Sequence, residues 1–317
     1  MVEVPARLTE ITLGRAEKEG RAWIDSLPAL VDEFLERWKC RPAGPVTHGH
    51  VGIVVPVRRL DGTPAALKIS YPHPGNRPEP VALAAWGGHG AVHLLERDDA
   101  SFAMLLEWAE PQSLHTLSDS IEAVTIAGSL TRRLAVEAPD TALPLTMLAE
   151  EWVEVIGRSE FVRQLLPRPV VDLALETARN LATVQPNLLV HGDMNFGNVL
   201  RSSREPWLAI DPKGHSGDPA YDSVRLLRDR WPQMVAEGDL KGSLVRQLTA
   251  WSEAAEMDRE RVMRWNQACA VYDVAYGYTI NDLAPRSHRR NSPAPDALTV
   301  FAPVATCFWL NSPADRR

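Results

Sequence analysis

Cysteine is scarce in this chain, and its scarcity narrows the class of protein. Cys40, Cys269 and Cys307 are the only cysteines among 317 residues, and no Cys-x-x-Cys pair occurs. An odd, widely spaced set excludes a disulfide-rich secreted scaffold and a cysteine-based zinc module. Such a set is typical of a protein of the reducing cytoplasm, which is the location we expect.

Long apolar segments and an excess of positive charge are also missing. No segment reaches the roughly 18 apolar residues of a membrane-spanning helix, and the opening MVEVPARLTE lacks the apolar core of a signal peptide. The formal net charge of -7 argues against a nucleic-acid-binding surface. We therefore expect neither membrane nor nucleic acid as partner, and no feature indicates an obligate protein partner. The acidic balance suits a cationic or neutral small substrate, although it also simply favours solubility.

The length of the chain and its hydrophobic content of 45% predict two lobes with sizeable cores. Strand-like segments concentrate before residue 108, and helical periodicity dominates after residue 113. We therefore predict a β-rich lobe over residues 1–107, which an amphipathic helix at residues 15–40 opens. A larger, mainly helical lobe is predicted over residues 108–317.

The first lobe is predicted to follow the order β-β-α-β-β. Residues 52–70 predict a β-hairpin, because Asp61-Gly62 is a favoured two-residue turn. Pro56 and Pro64 within it predict edge positions or bulges, since proline donates no hydrogen bond to a sheet. The other elements predicted here are a helix at residues 79–86 and a second strand pair at residues 91–108.

The second lobe carries repeated helical periodicity. The predicted helices lie at residues 125–136, 144–158, 169–184, 219–231, 240–255 and 261–280. Residues 285–297 are rich in Pro, Ser and Arg and predict an irregular segment. The apolar residues 299–310 predict a segment that packs back on the protein.

Polar residues interrupt an apolar stretch at residues 188–200, LLVHGDMNFGNVL. Asp193 follows a strand-like segment, where its carboxylate is well placed to meet a substrate hydroxyl, and Asn198 supplies an amide oxygen nearby. A second strand-like segment ends at Asp211. Two carboxylates and one amide are hard oxygen ligands of the kind that suit Mg²⁺, which completes its shell with water and phosphate oxygens. The pattern predicts phosphoryl transfer.

The order of these motifs resembles the aminoglycoside phosphotransferase family, whose fold is similar to that of protein kinases. The resemblance rests on H-G-D-x-x-x-x-N at residues 191–198, followed by IDPKG and GDPAYD at residues 210–222. These segments are most similar to the branch that holds streptomycin 6-phosphotransferases and hydroxyurea phosphotransferases, and the resemblance covers residues 46–230. It implies an α+β, protein-kinase-like bilobal fold with a small β-rich N-terminal lobe and a large, mainly helical C-terminal lobe.

The resemblance also implies a role for each motif residue. Asp193 would be the catalytic base, while Asn198 and Asp211 would hold Mg²⁺ against the phosphates of ATP. Lys68 would meet the α- and β-phosphates as a mobile point charge, and Glu79 would pair with Lys68 and keep it aimed. GTP is an alternative nucleotide.

Further residues are implied around this centre. The resemblance implies adenine contacts for the backbone of Glu107, Trp108 and Ala109, and support of the catalytic loop for His191, Asp218 and Asp222. The loop THGHVGIVV at residues 47–55 departs from the G-x-G-x-x-G pattern. Gly49 and Gly52 still permit close approach of backbone to phosphate.

Each of these residues has a structural alternative. Lys68 is also compatible with a solvated strand position, and Glu79 with a helix N-terminal acid that the helix dipole favours. His48, His50, His89 and His93 lack Cys or carboxylate partners at ligand spacing, so we do not expect zinc.

An acidic segment raises a similar choice. Glu150, Glu151 and Glu154 are either a solvated helix face or a substrate-binding wall that attracts a cationic antibiotic.

Taken with the resemblance, the sequence predicts an ATP-dependent phosphotransferase that acts on a hydroxyl of an aminoglycoside-type antibiotic, most simply a streptomycin-like one, and confers resistance. Alternative acceptors are hydroxyurea, another antibiotic, a sugar or an amino alcohol. A silent nucleotide-binding module is the alternative from another class. A protein kinase is disfavoured because the interval from Gly214 to Gly217 leaves no room for an activation segment.

Overall fold

A computed structural model describes residues 2–181, 183 and 185–283 of the chain. The predicted segments at residues 285–297 and 299–310, and Cys307, lie outside these residues. The helices are α1 Ala6–Arg15, α2 Glu17–Arg37, α3 Pro78–Trp86, α4 Ser120–Leu134, α5 Leu145–Arg158, α6 Glu160–Leu165, α7 Arg168–Leu181, α8 Leu226–Asp229, α9 Trp231–Ala236, α10 Leu240–Ala255 and α11 Arg259–Leu283. The strands are β1 Cys40–Pro42, β2 Thr47–His48, β3 Gly52–Arg59, β4 Pro64–Ser70, β5 Leu94–Asp98, β6 Ala103–Glu107, β7 Leu143–Pro144, β8 Leu188–Val190, β9 Val199–Arg201, β10 Trp207–Ala209 and β11 His215–Gly217.

The chain divides into two compact units. Among the described residues, the first unit comprises those within 2–113 and 200–214, and the second comprises those within 114–199 and 215–283. The return of residues 200–214 to the first unit was not predicted. Backbone bridges from Leu200 to Ser113 and from Ala209 to Ala91 attach the segment there.

A six-stranded antiparallel sheet with the order β1-β3-β4-β6-β5 forms the first unit, and β2 pairs with β3 beside β1. Side chains alternate between its faces. Ile53, Val55 and Leu67 pack in one cluster with Leu27 and Phe34 of α2, and all of them are buried. Lys68 therefore points to the opposite face of the sheet.

The predicted hairpin at residues 52–70 is present, but four residues (60–63) rather than two connect its strands, with Gly62 at a φ of 84° among them. Pro64 is the first residue of β4, where a missing N–H is tolerated. Pro56 lies in β3, an interior strand, rather than at an edge. On the side away from β4, strand β1 pairs with residues 57–59 and strand β2 pairs with residues 53–54. Pro56 lies between these two paired segments, so its missing N–H removes no hydrogen bond between strands.

The second unit is mainly helical, as predicted. Its core includes three fully buried tryptophan side chains, Trp152, Trp251 and Trp265. The predicted helix at residues 219–231 is instead a short 3₁₀ helix, Pro219–Ser223, followed by α8 and α9. Pro232 stands in the first turn of α9, the place in a helix where a missing N–H is tolerated, so a new helix begins there. A small sheet with the order β7-β11-β8 carries the loop that follows residue 190.

Candidate active site

A buried charge cluster lies on the face of the first unit's sheet that is opposite to α2. The Nζ of Lys68 donates to Glu79 Oε1 at 2.6 Å and to Asp211 Oδ1 at 2.7 Å. Lys68 is only 9% exposed and Glu79 only 3% exposed. Such burial excludes a solvated strand position for Lys68 and a purely local helix-start role for Glu79. Three charges are held together at this point of the fold.

The two carboxylates of the cluster keep Lys68 in its charged form. Burial opposes the charge of Lys68, but the carboxylates of Asp211 and Glu79 outweigh that effect and raise the pKa of the ammonium group. Burial also raises the pKa of Glu79, while Lys68 acts in the opposite direction. A charged lysine ammonium, with three donors at the end of a flexible stem, is suited to binding phosphate oxygens.

The turn after β10 presents Asp211 to the cluster. Asp211 has a φ of 55° and Gly214 a φ of 57°. A Cβ on Gly214 would lie 2.9 Å from the carbonyl oxygen of Pro78, so only glycine lets this turn pack against the start of α3. Lys213 lies 3.6 Å from Asp211 and adds a second cation, which sequence reasoning missed although it stands inside the IDPKG motif.

A separate loop in the second unit carries the H-G-D motif. Asp222 accepts hydrogen bonds from the backbone N–H groups of His191 at 3.2 Å and Gly192 at 2.8 Å. Gly192 has a φ of 82°, a left-handed conformation that favours glycine. His191 is fully buried, and its Nδ1 accepts from the N–H of Asp193 at 3.2 Å. Asp222 and His191 thus fix the backbone that presents Asp193.

Asparagine side chains close the other end of the loop. Asn198 Nδ2 donates to the backbone oxygen of Asp193 at 2.9 Å and reaches Asp193 Oδ2 at 3.4 Å. Asn195, which sequence reasoning missed, accepts from the N–H groups of Gly197 and Asn198 and donates to the carbonyl of Asp193. Because the amide nitrogen of Asn198 faces Asp193, its amide oxygen is the atom suited to a cation.

Asp222 gives the loop a defined pH dependence. Burial raises the pKa of Asp222 to about 7, and the N–H groups of Gly192 and His191 only partly offset this. A carboxyl whose pKa is higher when folded binds more protons in the folded state, so its contribution to stability falls as pH rises from about 4 to 7. We expect Asp222→Asn to reduce the difference between the unfolding free energies at pH 5 and pH 8, measured by urea titration.

The exposed Asp25, on α2, offers a matched control for that measurement. Asp25→Asn removes the same charge and should leave the pH dependence as in the unmodified protein. If Asp222→Asn also leaves it unchanged, Asp222 does not titrate in the stated range.

Asp218 makes other contacts than those of the loop. Its Oδ2 accepts from Trp265 Nε1 at 2.6 Å and from Arg261, and its Oδ1 caps the N–H of Ala220 at 3.0 Å. The partners Trp265 and Arg261 belong to α11. Asp218 therefore anchors α11 to the 3₁₀ helix that carries Asp222, and acts on the loop at most through it.

The predicted adenine contacts fall at the end of β6. The side chain of Glu107 forms two hydrogen bonds of 2.9 Å with Arg204, and its backbone N–H donates to the carbonyl of His93. The N–H of Glu107 is thus already used, and adenine contacts by the backbone of Glu107, Trp108 and Ala109 stay a prediction.

The two glycines near β3 differ in what surrounds them. A Cβ on Gly52 would lie 2.8 Å from the carbonyl oxygen of Ile69, so glycine is required there by strand packing alone. Nothing lies within 4 Å of the corresponding position at Gly49.

The acidic residues of α5 are exposed, as the alternative of a solvated face requires. Glu151 nevertheless accepts from the hydroxyl of Tyr272 at 2.8 Å, and Glu154 pairs with Arg158 at 2.5 Å. Tyr272 stacks against Tyr276, with ring centroids 5.4 Å apart. An acidic and aromatic surface of this kind suits a cationic ligand.

The described residues contain neither a cluster of metal-ligand side chains nor a helix suited to a membrane. Across residues 2–181, 183 and 185–283, no group of three or more His, Cys, Asp or Glu side chains is arranged to hold a metal ion. In the same part of the chain, no helix combines the length and apolar character needed to cross a membrane.

Comparison with known proteins assigns the chain to a family. The model of the aminoglycoside/hydroxyurea antibiotic resistance kinases matches residues 37–278. The chain belongs to this family. A streptomycin 6-kinase of Streptomyces glaucescens is 34% identical over 291 residues, which cover 90% of this chain and 95% of that protein. A hydroxyurea phosphotransferase of Kitasatospora aureofaciens is 39% identical over 272 residues, which cover 84% of this chain and 77% of that protein.

Solved structures agree in fold. A choline/ethanolamine kinase family protein of Mesorhizobium loti has a TM-score of 0.58 at 17% identity and covers 90% of this chain and 96% of its own. A macrolide 2′-phosphotransferase of Brachybacterium faecium has a TM-score of 0.54 at 17% identity, with 88% and 98% covered. The predicted resemblance and the α+β, kinase-like fold class are confirmed. As a member of the antibiotic resistance kinases, the chain is a phosphotransferase that acts on a hydroxyl group.

Proposed function

We propose that this kinase transfers the γ-phosphoryl group of ATP to a hydroxyl of a streptomycin-like antibiotic. The observation that carries the proposal is the buried contact of Lys68 with both Glu79 and Asp211. An ammonium group held between two carboxylates is costly to bury, and buried charge clusters of this kind are concentrated at functional sites. The family membership supports the same reaction class.

By the chemistry of their side chains, the residues present suit Mg²⁺ and a nucleoside triphosphate. Asp211 and Asn198 offer a carboxylate and an amide oxygen, the hard ligands that Mg²⁺ takes alongside phosphate oxygens. Mg²⁺ supplies charge neutralisation at the phosphates when it is bound. Lys68 would hold the α- and β-phosphates, and Glu79 would keep the ammonium in place. GTP is the alternative nucleotide for the same groups.

We assign to Asp193 the activation of the acceptor hydroxyl. Its carboxylate would accept the proton of the attacking hydroxyl, while its backbone is fixed by His191 and Asn198. The loop is thereby rigid before any acceptor binds, which limits the cost of orienting the base.

Hydroxyurea is the second candidate acceptor, because its phosphotransferase from Kitasatospora aureofaciens is 39% identical to this chain. ADP release with Mg·ATP, measured separately with streptomycin, hydroxyurea, a macrolide, a sugar and an amino alcohol, would decide between the acceptors. Streptomycin-dependent release supports the proposal. Release with hydroxyurea alone favours the second candidate, and ATP binding without release for any acceptor favours a silent nucleotide-binding module.

The acidic face of α5 yields a prediction about the acceptor. We expect the combined substitution Glu150→Gln, Glu151→Gln and Glu154→Gln to raise KM for streptomycin about tenfold, since each exposed ion pair contributes up to about 1 kcal/mol. The KM for uncharged hydroxyurea should not change. Steady-state kinetics with both acceptors would measure the two effects.

A matched control removes three exposed acids elsewhere. Glu17, Glu33 and Glu36 of α2 are also exposed, and their replacement by Gln makes the net charge less negative by the same amount. If this control raises KM for streptomycin as much, the effect is one of net charge and α5 is not the acceptor wall.

A further inference from the structure

A pocket of about 360 Å³ lies in the first unit, where the end of β4, the first turn of α3 and the turn between β5 and β6 meet. Its lining includes Ser70, Arg77, Pro80, Phe102 and Met104. None of these residues has a role in the proposed phosphoryl transfer. The volume is at the lower end of the range of about 300–1,000 Å³ that is usual for sites of small organic ligands.

The pocket wall contains a polar group without a partner. Ser70 is only 2% exposed, and its hydroxyl oxygen makes no hydrogen bond with any residue that the structure describes. Its backbone N–H is already used, since it donates to the carbonyl of Phe102 at 3.0 Å. A buried hydroxyl without a partner is unfavourable. The oxygen is closed off in this conformation, so a ligand atom reaches it after rotation of the Ser70 side chain, and the hydrogen bond formed there would remove the penalty.

An aromatic ring and a cation stand at the other side of the pocket. Phe102 has a φ of 53°, an unusual backbone conformation for a bulky residue. The guanidinium carbon of Arg77 lies 5.9 Å from the centroid of the Phe102 ring. Arg77 is exposed and forms no ion pair within the described part of the chain. The ring and the cation are therefore both available to a ligand.

The two acids at the pocket are already neutralised. Asp98 pairs with Arg37 at 2.7 Å, and Asp99 pairs with Arg97 at 3.4 Å. The charge that remains without a partner here is that of Arg77. A ligand that complements the pocket therefore carries one negative charge.

We propose that this pocket binds a small aromatic carboxylate. Its ring would pack on Phe102 and Met104, its carboxylate would pair with Arg77, and one of its oxygen atoms would reach the hydroxyl of Ser70. The ring, the carboxylate and the oxygen atom of the ligand thus complement, in that order, an apolar surface, a cation without an ion pair and a buried hydroxyl.

The position of the pocket predicts what binding does, a consequence that rests on the proposed function. Ser70 and Lys68 stand on the same face of β4, two positions apart, and Pro80 directly follows Glu79 in α3. A ligand held against both elements stabilises the arrangement in which Lys68 contacts Glu79. We therefore expect the ligand to lower KM for ATP.

The binding test uses 2-naphthoate as the probe on the full chain, with isothermal titration calorimetry and saturation-transfer NMR, and needs no nucleotide. We expect Arg77→Gln to weaken 2-naphthoate at least fivefold and to leave binding of the uncharged analogue 2-naphthol unchanged. Ser70→Ala should weaken both probes about fivefold, the loss that one hydrogen bond predicts. Ala100→Trp, at the exposed rim, should abolish binding by filling the pocket.

Arg58→Gln is the matched control, since it removes an exposed arginine of the same sheet that is not part of the pocket. Absence of 2-naphthoate binding, or equal binding by the Ala100→Trp variant, would overturn the site. Binding that leaves KM for ATP unchanged would overturn the coupling alone. If streptomycin and hydroxyurea are not phosphorylated, the proposed function fails, while the calorimetric result on the pocket still stands.

Discussion

Asp193→Asn lowers kcat for the antibiotic acceptor by about a thousandfold while the Kd for ATP changes less than about twofold, if Asp193 is the catalytic base. The amide keeps the shape of the side chain but takes no proton from the acceptor hydroxyl, and general bases contribute roughly 10²–10⁴ in rate. The loop should persist, because Asp222 and His191 hold its backbone independently of the Asp193 carboxylate. Single-turnover kinetics and calorimetric ATP titration would measure the two quantities.

The exposed Asp172 on α7 provides the control for a lost carboxylate in the same unit. Asp172→Asn should leave kcat and ATP affinity unchanged. Turnover retained in Asp193→Asn would assign the base to another residue. A joint loss of turnover and ATP binding would instead indicate that the loop had collapsed.

Lys68→Met has the largest expected effect on the first unit. It removes the ammonium group that we propose binds the phosphates, which should lower kcat/KM at least about a hundredfold. It also leaves Glu79 buried without its cation, and breaking a buried ion pair costs about 3–5 kcal/mol. The unfolding free energy, from urea titration, should fall accordingly. The loss of activity and the loss of stability have different causes, so a second substitution can distinguish them.

A second substitution separates them. In the double variant with Lys68→Met and Glu79→Gln, the buried negative charge is gone, so stability should recover in part while activity remains lost. Glu79→Gln alone should reduce activity less than Lys68→Met, because Asp211 still holds the ammonium. If the double variant is no more stable than Lys68→Met, the buried pair is not the source of the instability.

Local patterns were sufficient for much of the fold. The hairpin at residues 52–70, the helix α3 and the helix α10 follow from alternation, turn chemistry and helical spacing. The short strands β1 and β2 escaped prediction, since segments of two or three residues carry no period to detect. The return of residues 200–214 to the first unit depends on bridges between distant segments, which no local pattern encodes.

The residues of the candidate site were likewise predictable from the sequence only in part. Motif order pointed to Lys68, Glu79 and Asp211, and the structure joins these three by direct contacts. Asn195 escaped because a capping asparagine in a loop is indistinguishable in sequence from any polar loop residue. Lys213 escaped because its distance to Asp211 depends on the turn conformation rather than on the spacing of the motif. The roles assigned to these residues remain predictions for the experiments above.

The left-handed backbone of Asp211 limits what this position tolerates. Among residues with a side chain, Asp and Asn adopt that conformation most readily, because their short polar groups bond locally, whereas longer side chains are disfavoured. Glutamate keeps the charge yet has to distort the turn, so an inactive Asp211→Glu variant carries no information about electrostatics. Asparagine keeps the turn and removes only the charge, and it is the replacement from which the contribution of this carboxylate can be read.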